Sequence, residues 1–205
     1  MKWNTLSSLR GYPRNVFKLL LSIFLGLFQF ILAHAIADQD TDIEKIRMAA
    51  EEGNAKAQYC LGQIYQEGKQ GGVTQDYKEA IKWYQKAADQ GLKEAECDLG
   101  YMYHDGLGVA QNYSKAIKLY RLAAQKGDAV AEYNLGKMFE DGLGVTKNEE
   151  EAVKWFRRSA EQGTPQGQCA LGVMYDNGRG VEQDFSEAIR WYRMATAQNF
   201  PMAQF

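Results

Sequence analysis

The chain repeats itself, and no other feature restricts its fold as much. In steps of 36 residues, after a first step of 38, Leu61-Gly62, Leu99-Gly100, Leu135-Gly136 and Leu171-Gly172 fall into one column. Tyr65, Tyr103, Phe139 and Tyr175 form the next. The stretches Gly106-Leu107-Gly108-Val109, Gly142-Leu143-Gly144-Val145 and Gly178-Arg179-Gly180-Val181 follow, and the first copy carries a two-residue insertion there, between Gly68 and Val73. A second block aligns Ala80, Ala116, Ala152 and Ala188, then Trp83-Tyr84, Leu119-Tyr120, Trp155-Phe156 and Trp191-Tyr192. Each copy closes on Gly91, Gly127, Gly163 or Asn199. A unit of this length cannot bury its apolar side alone, so the copies must stack.

Each unit reads as two helices. In the first copy Ala57, Leu61, Ile64 and Tyr65 recur at helical spacing, as do Ala80, Ile81, Tyr84 and Ala87 in its second half. The glycine before each loop suits the left-handed end of a helix. Asp76, Asn112, Asn148 and Asp184 stand where the second helix begins, with side-chain oxygens able to accept from free backbone N–H groups. Glu79, Glu151 and Glu187, three residues on, predict a capping box in three copies. Pro165 and Pro201 fall at first helical positions. The glycine of each Leu-Gly pair lies inside a helix, at a cost of roughly 1 kcal/mol relative to alanine. Its repetition predicts close approach of a neighbouring helix.

The column pattern A-x-x-x-L-G-x-x-Y, then G-x-G-V, D or N, and A-x-x-W-Y-x-x-A-A-x-x-G, resembles the Sel-one-like repeat family, relatives of the tetratricopeptide repeats. The resemblance covers residues 54–199, with Leu119, Ser159 and Gly167 as modest departures. It implies an all-α, right-handed α-solenoid of helix-turn-helix repeats. The expected division is a signal peptide at 1–37, a half-repeat at 38–53 and repeats at 54–91, 92–127, 128–163 and 164–199. Residues 200–205 are the truncated start of a fifth. The family resemblance also implies non-enzymatic adaptors that hold other proteins; bacterial relatives include exported proteins that engage host factors or neutralise secreted phospholipase toxins.

Residues 1–37 carry Lys2, Arg10, Arg14 and Lys18 but no acid, and the apolar run Leu19–Ala33 ends in Ala33-His34-Ala35 and Ala35-Ile36-Ala37. A basic start, a short apolar core and an Ala-x-Ala site describe a secretory signal peptide, with an uncleaved inner-membrane anchor as the rival reading. The mature chain is expected to start near Ile36 or Asp38, in the periplasm or outside the cell. Residues 38–205 then hold 20 bases against 26 acids, and the absence of a basic stripe argues against nucleic acid as a partner. Cys60, Cys97 and Cys169 lack C-x-x-C spacing. Their places in the repeat put Cys97 and Cys169 two units apart and turn Cys60 about 100° from the Cys97 column. Three free thiols are expected.

Catalytic residue types are scarce. After the signal the only histidine is His104, and the serines are Ser114, Ser159 and Ser186, with no G-x-S-x-G elbow and no S-x-x-K. A hydrolase of the β-lactamase label carried by some cysteine-rich relatives is therefore disfavoured. The Gly-x-Gly-Val loops lack a following Lys-Ser or Lys-Thr and read as turns. No metal or cofactor is expected. Aromatic columns at helical spacing read as core.

By resemblance to tetratricopeptide units, the first helix of each repeat lines the inner face. The expected protein-binding residues are Tyr59, Gln63 and Glu67, then Tyr101, His104 and Asp105. Tyr133, Lys137, Glu140 and Asp141 follow, then Val173 and Asp176. Cys97 and Cys169 fall on the same inward positions. A strip of Tyr59, Tyr101, Tyr133 and Val173 beside acids predicts a protein partner with a basic surface. Apolar surface beside Ala170, Val173, Met174, Trp191 and Met194 is expected either to be covered by residues 200–205 folding back or to stay partly open, which would allow end-to-end self-association.

Overall fold

The structure is a computed structural model that describes residues 42–68 and 72–198. The expected signal segment and the fifth-repeat stub lie outside the described residues. These residues form helices and turns, with no strand among them. The helices are α1 (42–51), α2 (Ala55–Glu67), α3 (Tyr77–Asp89), α4 (Lys93–Asp105), α5 (Tyr113–Gln125), α6 (Ala129–Asp141), α7 (Glu149–Glu161), α8 (Pro165–Asn177) and α9 (Phe185–Thr196). From α2 onward, each packs on its neighbours in the chain, α2 with α3 and α3 with α4, through to α9. Ile43 and Ala50 of α1 join Leu61, Ile64 and Trp83 in the first section of core.

The interior glycines explain how the two helices of a unit close. A Cβ built on Gly62 would stand 2.6 Å from the Tyr84 ring, and on Gly100, 2.8 Å from Tyr120. On Gly136 it would run into the Phe156 ring, and on Gly172 it would stand 2.7 Å from Tyr192. The expected close approach is thus made by an aromatic ring of the second helix of the same unit. Tyr84, Tyr120 and Phe156 are fully buried there. The stacked core continues from Leu61 through Leu99 and Leu135 to Leu171, all at 0% exposure.

Helix ends follow the sequence except at one point. Gly68, Gly106, Gly142 and Gly178 take left-handed φ values of 61–73°, each donating its N–H four residues back. Asp76, Asn112, Asn148 and Asp184 cap the second helices by accepting from backbone N–H groups. The reciprocal half of the predicted capping box does not form. The cap residue's own N–H is already taken: Asp76 donates to the Tyr65 carbonyl, Asn112 to Tyr103, Asn148 to Phe139 and Asp184 to Tyr175, at 2.8–3.0 Å. Glu79, Glu151 and Glu187 instead pair with Lys82, Lys154 and Arg190.

Between units, the second loop glycine rests on the start of the preceding unit's second helix. A Cβ on Gly108 would lie 2.6 Å from that of Tyr77, and on Gly144, 2.8 Å from that of Tyr113. A buried polar column supplies a second link. Gln58, Glu96, Glu132 and Gln168 are 1–5% exposed. Within its own unit each is met by a side chain from the end of the second helix: Gln90, Lys126, Arg158 with Gln162, and Gln198. The bonds that cross to the preceding unit end on main-chain oxygens. Gln58 donates to Ala50, Lys126 to Gly91 and Arg158 to Ala124, while Gln168 donates to Ala160 and Gln198 to Gly163.

Gly136→Ala tests the close approach. In an ordinary helix this change stabilises by about 1 kcal/mol. Against the buried Phe156 ring it should destabilise by about 1–3 kcal/mol in urea unfolding, because overpacking forces the ring off its rotamer. Adding Phe156→Leu should recover part of the loss.

Candidate functional site

The first helices carry the candidate residues in three kinds of surroundings. Tyr101 is the open one, 40% exposed, with Asp105 beside its hydroxyl pushing its pKa up. Asp105 also holds the His104 ring through Nδ1, and that ring meets Tyr113 edge-on at 5.4 Å. Tyr59 and Tyr133 are half-buried. Their rings lie tilted on Tyr84 and Phe156, centroids 5.7 and 5.8 Å apart, so each rests on the aromatic residue that fills its unit's glycine notch. Cys97 and Cys169 are buried, at 3% and 7% exposure, and present little to the surface. No disulfide links the three cysteines among the described residues.

Between α6 and α8 a groove of about 170 Å³ is lined by Tyr133, Lys137, Glu140, Gln166, Cys169, Ala170 and Val173. Four of the expected site residues therefore come together in one concavity. The acidic edge divides. Glu140 accepts from Lys137 at 2.7 Å and from Arg179 at 2.8 Å, and Asp141 lies 3.3 Å from Lys137. Arg179 stands where Leu107 and Leu143 occupy the other loops, and it also binds Glu149. The acids of repeat three are thus engaged by Lys137 of the same repeat and by Arg179 of the next. Glu67 is exposed at the other end, and Asp176 is half-buried.

One polar centre on this face was missed from sequence. The Tyr59 hydroxyl donates to Asp98 Oδ2 at 3.0 Å, and Gln63 Nε2 donates to the Tyr59 oxygen at 2.9 Å. Asp98 shares its column with Cys60, Asn134 and Ala170, a mixture without periodic signal. Burial pushes its carboxyl up from the usual range to about 6; the negative charges of Asp128 and Glu94 add to this, and the Tyr59 bond opposes it. The same burial, with Asp128 and Asp98 nearby, raises the Cys97 thiol. Among the described residues no group of three or more His, Cys, Asp or Glu side chains is placed to hold a metal ion, and no helix is long and apolar enough to cross a membrane.

Helical hairpins stacked in chain order, each locked by a glycine against an aromatic ring, define an α-solenoid. The Sel1 repeat family pattern matches residues 55–92, 93–128, 129–164 and 165–200, and the chain belongs to this family. It is similar to c5321, a protective antigen of uropathogenic Escherichia coli displaying an SLR fold, at 43% identity and a TM-score of 0.72 over 76% of this chain and 33% of that one. A Sel1 repeat protein from Oxalobacter formigenes is 35% identical with a TM-score of 0.76, over 80% of this chain and 64% of that one. The immunity protein Pa5087 from Pseudomonas aeruginosa is 25% identical with a TM-score of 0.55, over 78% of this chain and 59% of that one. This chain thus spans from a third to just under two thirds of these relatives.

Asp98 makes stability depend on pH in a defined direction. The folded chain keeps its proton up to about pH 6, whereas an unfolded aspartate releases it near pH 4. The stability gained from this proton is full below about pH 4 and is lost as pH rises through 6. Asp98→Asn, which copies Asn134 of the next repeat, should stabilise the protein by about 1–2 kcal/mol at pH 7.5 and leave it unchanged at pH 4, read by urea unfolding at both values.

Proposed function

We propose that this protein is an exported, non-enzymatic scaffold that holds a protein partner against the face made by α2, α4, α6 and α8. The observation that carries this reading is the arrangement around Tyr101 and the α6–α8 groove. An exposed tyrosine, a concavity with Tyr133 and Val173 in its lining, and charged side chains at the rim reproduce the composition of energetic centres in protein interfaces. Gln63, His104, Lys137 and Asp176 border that surface, while Glu67 and Asp105 leave acidic positions for a basic partner. Glu140 and Asp141 act mainly through Lys137 and Arg179, shaping the groove wall.

Similarity to the immunity protein Pa5087 supports a second, narrower reading: a periplasmic inhibitor of a secreted phospholipase-type toxin. The two readings share the binding face and differ in what sits on it. Capture of the exported protein on resin, with wild type and a Tyr101→Ala variant compared by mass spectrometry, identifies the partner as the protein lost in the variant. With that partner in hand, Tyr101→Ala should weaken binding by about 1–3 kcal/mol in titration calorimetry with an unchanged helical signal. Equal affinity for Tyr101→Ala, Tyr133→Ala and Val173→Asp would place the partner on another face.

Export has its own readout. Intact-mass analysis of the protein recovered outside the cytoplasm should give a chain beginning at Ile36 or Asp38. A soluble cytoplasmic form retaining Met1 would remove the export part of the proposal.

A further inference from the structure

The second helices α3, α7 and α9 share a surface pattern that α5 breaks. Glu79, Glu151 and Glu187 each pair with the base three residues on, Lys82, Lys154 or Arg190. Trp83, Trp155 and Trp191 follow, each with a cation over its ring. Lys86 Nζ lies 3.8 Å from the first ring's centroid, and the guanidinium carbons of Arg158 and Arg190 lie 4.8 and 5.1 Å from the others. In α5 Lys115 takes the place of the acid, Leu119 that of the tryptophan, and Leu122 that of Lys86 and Arg158. Met194 also departs at this last position, but there Trp191 and Glu187 remain, bonded at 3.1 Å. With Lys115, Lys118 and Arg121 and no acid, α5 differs from every other second helix described.

These substitutions lie together. Lys118, Leu122, Lys115, Lys126 and Leu119 share one stripe about 100° wide along the helix. Leu122 stands near its middle, 46% exposed, with lysines one and two turns before it and another one turn after. Lys115 is fixed over the Tyr103 ring, 4.0 Å from its centroid, and donates to the Tyr103 hydroxyl at 2.6 Å. Lys118 is exposed, and the residue three before it is a lysine where its counterparts have glutamates.

Leu122 serves the folded chain poorly. At the same place in the third repeat, Arg158 donates to Glu132 Oε1 while Gln162 donates to Oε2. In the second repeat Lys126 meets Glu96 Oε1, and Oε2 is buried without a hydrogen-bond partner among the described residues. The leucine thus exposes apolar surface to water and leaves a buried acceptor unpaired, both of which oppose folding.

We propose that the outer side of α5 is a docking surface for an acidic segment of another protein, which seats an apolar side chain on Leu122 and sets carboxylates on Lys118 and Lys115. This surface belongs to the layer of second helices, apart from the face made by α2, α4, α6 and α8. An apolar centre inside a charged rim is the anatomy of a protein interface, and complementary charge selects the partner. The extent of the charge excludes a broader polyanion. On one side α3 sets Glu79 and Asp89 against its three lysines; on the other α7 sets four glutamates against three bases. A bilayer or a nucleic-acid backbone would cross several second helices and meet acids on both sides of α5. A protein segment fits within the width of one helix.

Photo-crosslinking of the full chain, in the cell that makes it, tests the proposal. Benzoylphenylalanine is placed at position 122 and, for comparison, at position 154, which is exposed on α7. The adduct expected at 122 joins another protein through a segment rich in Asp and Glu. Lys118→Glu should lower its yield roughly fivefold or more, with the helical signal unchanged. Position 154 should not give this adduct. The absence of an adduct at 122 above that at 154 overturns the proposal. So does an adduct with lipid, with nucleic acid, with a segment lacking an excess of acid, or with this chain itself, through residues 1–41, residues 199–205 or a second copy. Leu122→Arg supplies an independent arm in the purified protein. It should hold or raise the urea midpoint of unfolding, because the guanidinium copies Arg158 beside a buried carboxylate. A lower midpoint would show that the leucine is there for the fold, and the proposal would fall.

Discussion

The contact between an interior glycine and an aromatic ring sets the spacing on which the remainder of the fold depends. With no side chain at Gly62, Gly100, Gly136 or Gly172, the second helix approaches until a ring fills the notch. That approach brings the end of the first helix so near the start of the second that the capping residue's N–H bonds directly to a carbonyl of the first. The loops between them are correspondingly short and need left-handed glycines. A wider hairpin would lose the ring packing, the main-chain bond and the loop geometry at once. The energetic penalty of a helical glycine, about 1 kcal/mol, is offset by burying an aromatic ring worth roughly 1.5–3 kcal/mol.

The same contact shapes the candidate binding face. Tyr59 and Tyr133 rest on the rings that fill the notches, so they are held half-buried. Tyr101 has no such support and stands open. The face is thus built of fixed aromatic ground with one projecting ring, bordered by charges partly engaged with one another. Asp98 ties the first two repeats together across this ground through Tyr59. Its raised pKa records the burial that this tie imposes on a carboxylate.

Periodicity made the architecture legible. The helices, the four glycine ends, the four Asp or Asn caps and the buried aromatic columns all occur at fixed intervals, and a signal repeated four times outweighs local noise. Features that occur once were illegible for the same reason. Asp98 interrupts a column of unrelated residues. Arg179 replaces the leucine of two other loops, and its pairing with Glu140 withdraws an acid that the sequence left free. The capping-box glutamates have the right spacing. The rival acceptor for the cap N–H, however, comes from another helix, and spacing along one helix cannot report it. The apolar surface expected beside the fourth repeat is mixed in the same way: Met174 and Trp191 are buried, while Met194 is 40% exposed.

The buried polar column has an implication for how such chains change length. Recognition between side chains is confined to the unit, Glu96 with Lys126 or Gln168 with Gln198, whereas the links this column makes to the unit before it end on peptide oxygens. A peptide oxygen is the same whatever residue bears it. Within this column, a unit inserted or deleted whole, with cuts after Gly91, Gly127 or Gly163, keeps every buried carboxylate with its own cation and every crossing bond with an acceptor. A cut between the two helices that joined Glu96 or Glu132 to the half bearing Gln198 would instead leave a buried carboxylate without its cation, at a cost of about 3–5 kcal/mol. Copy number can therefore drift by recombination at one joint and is resisted at the other.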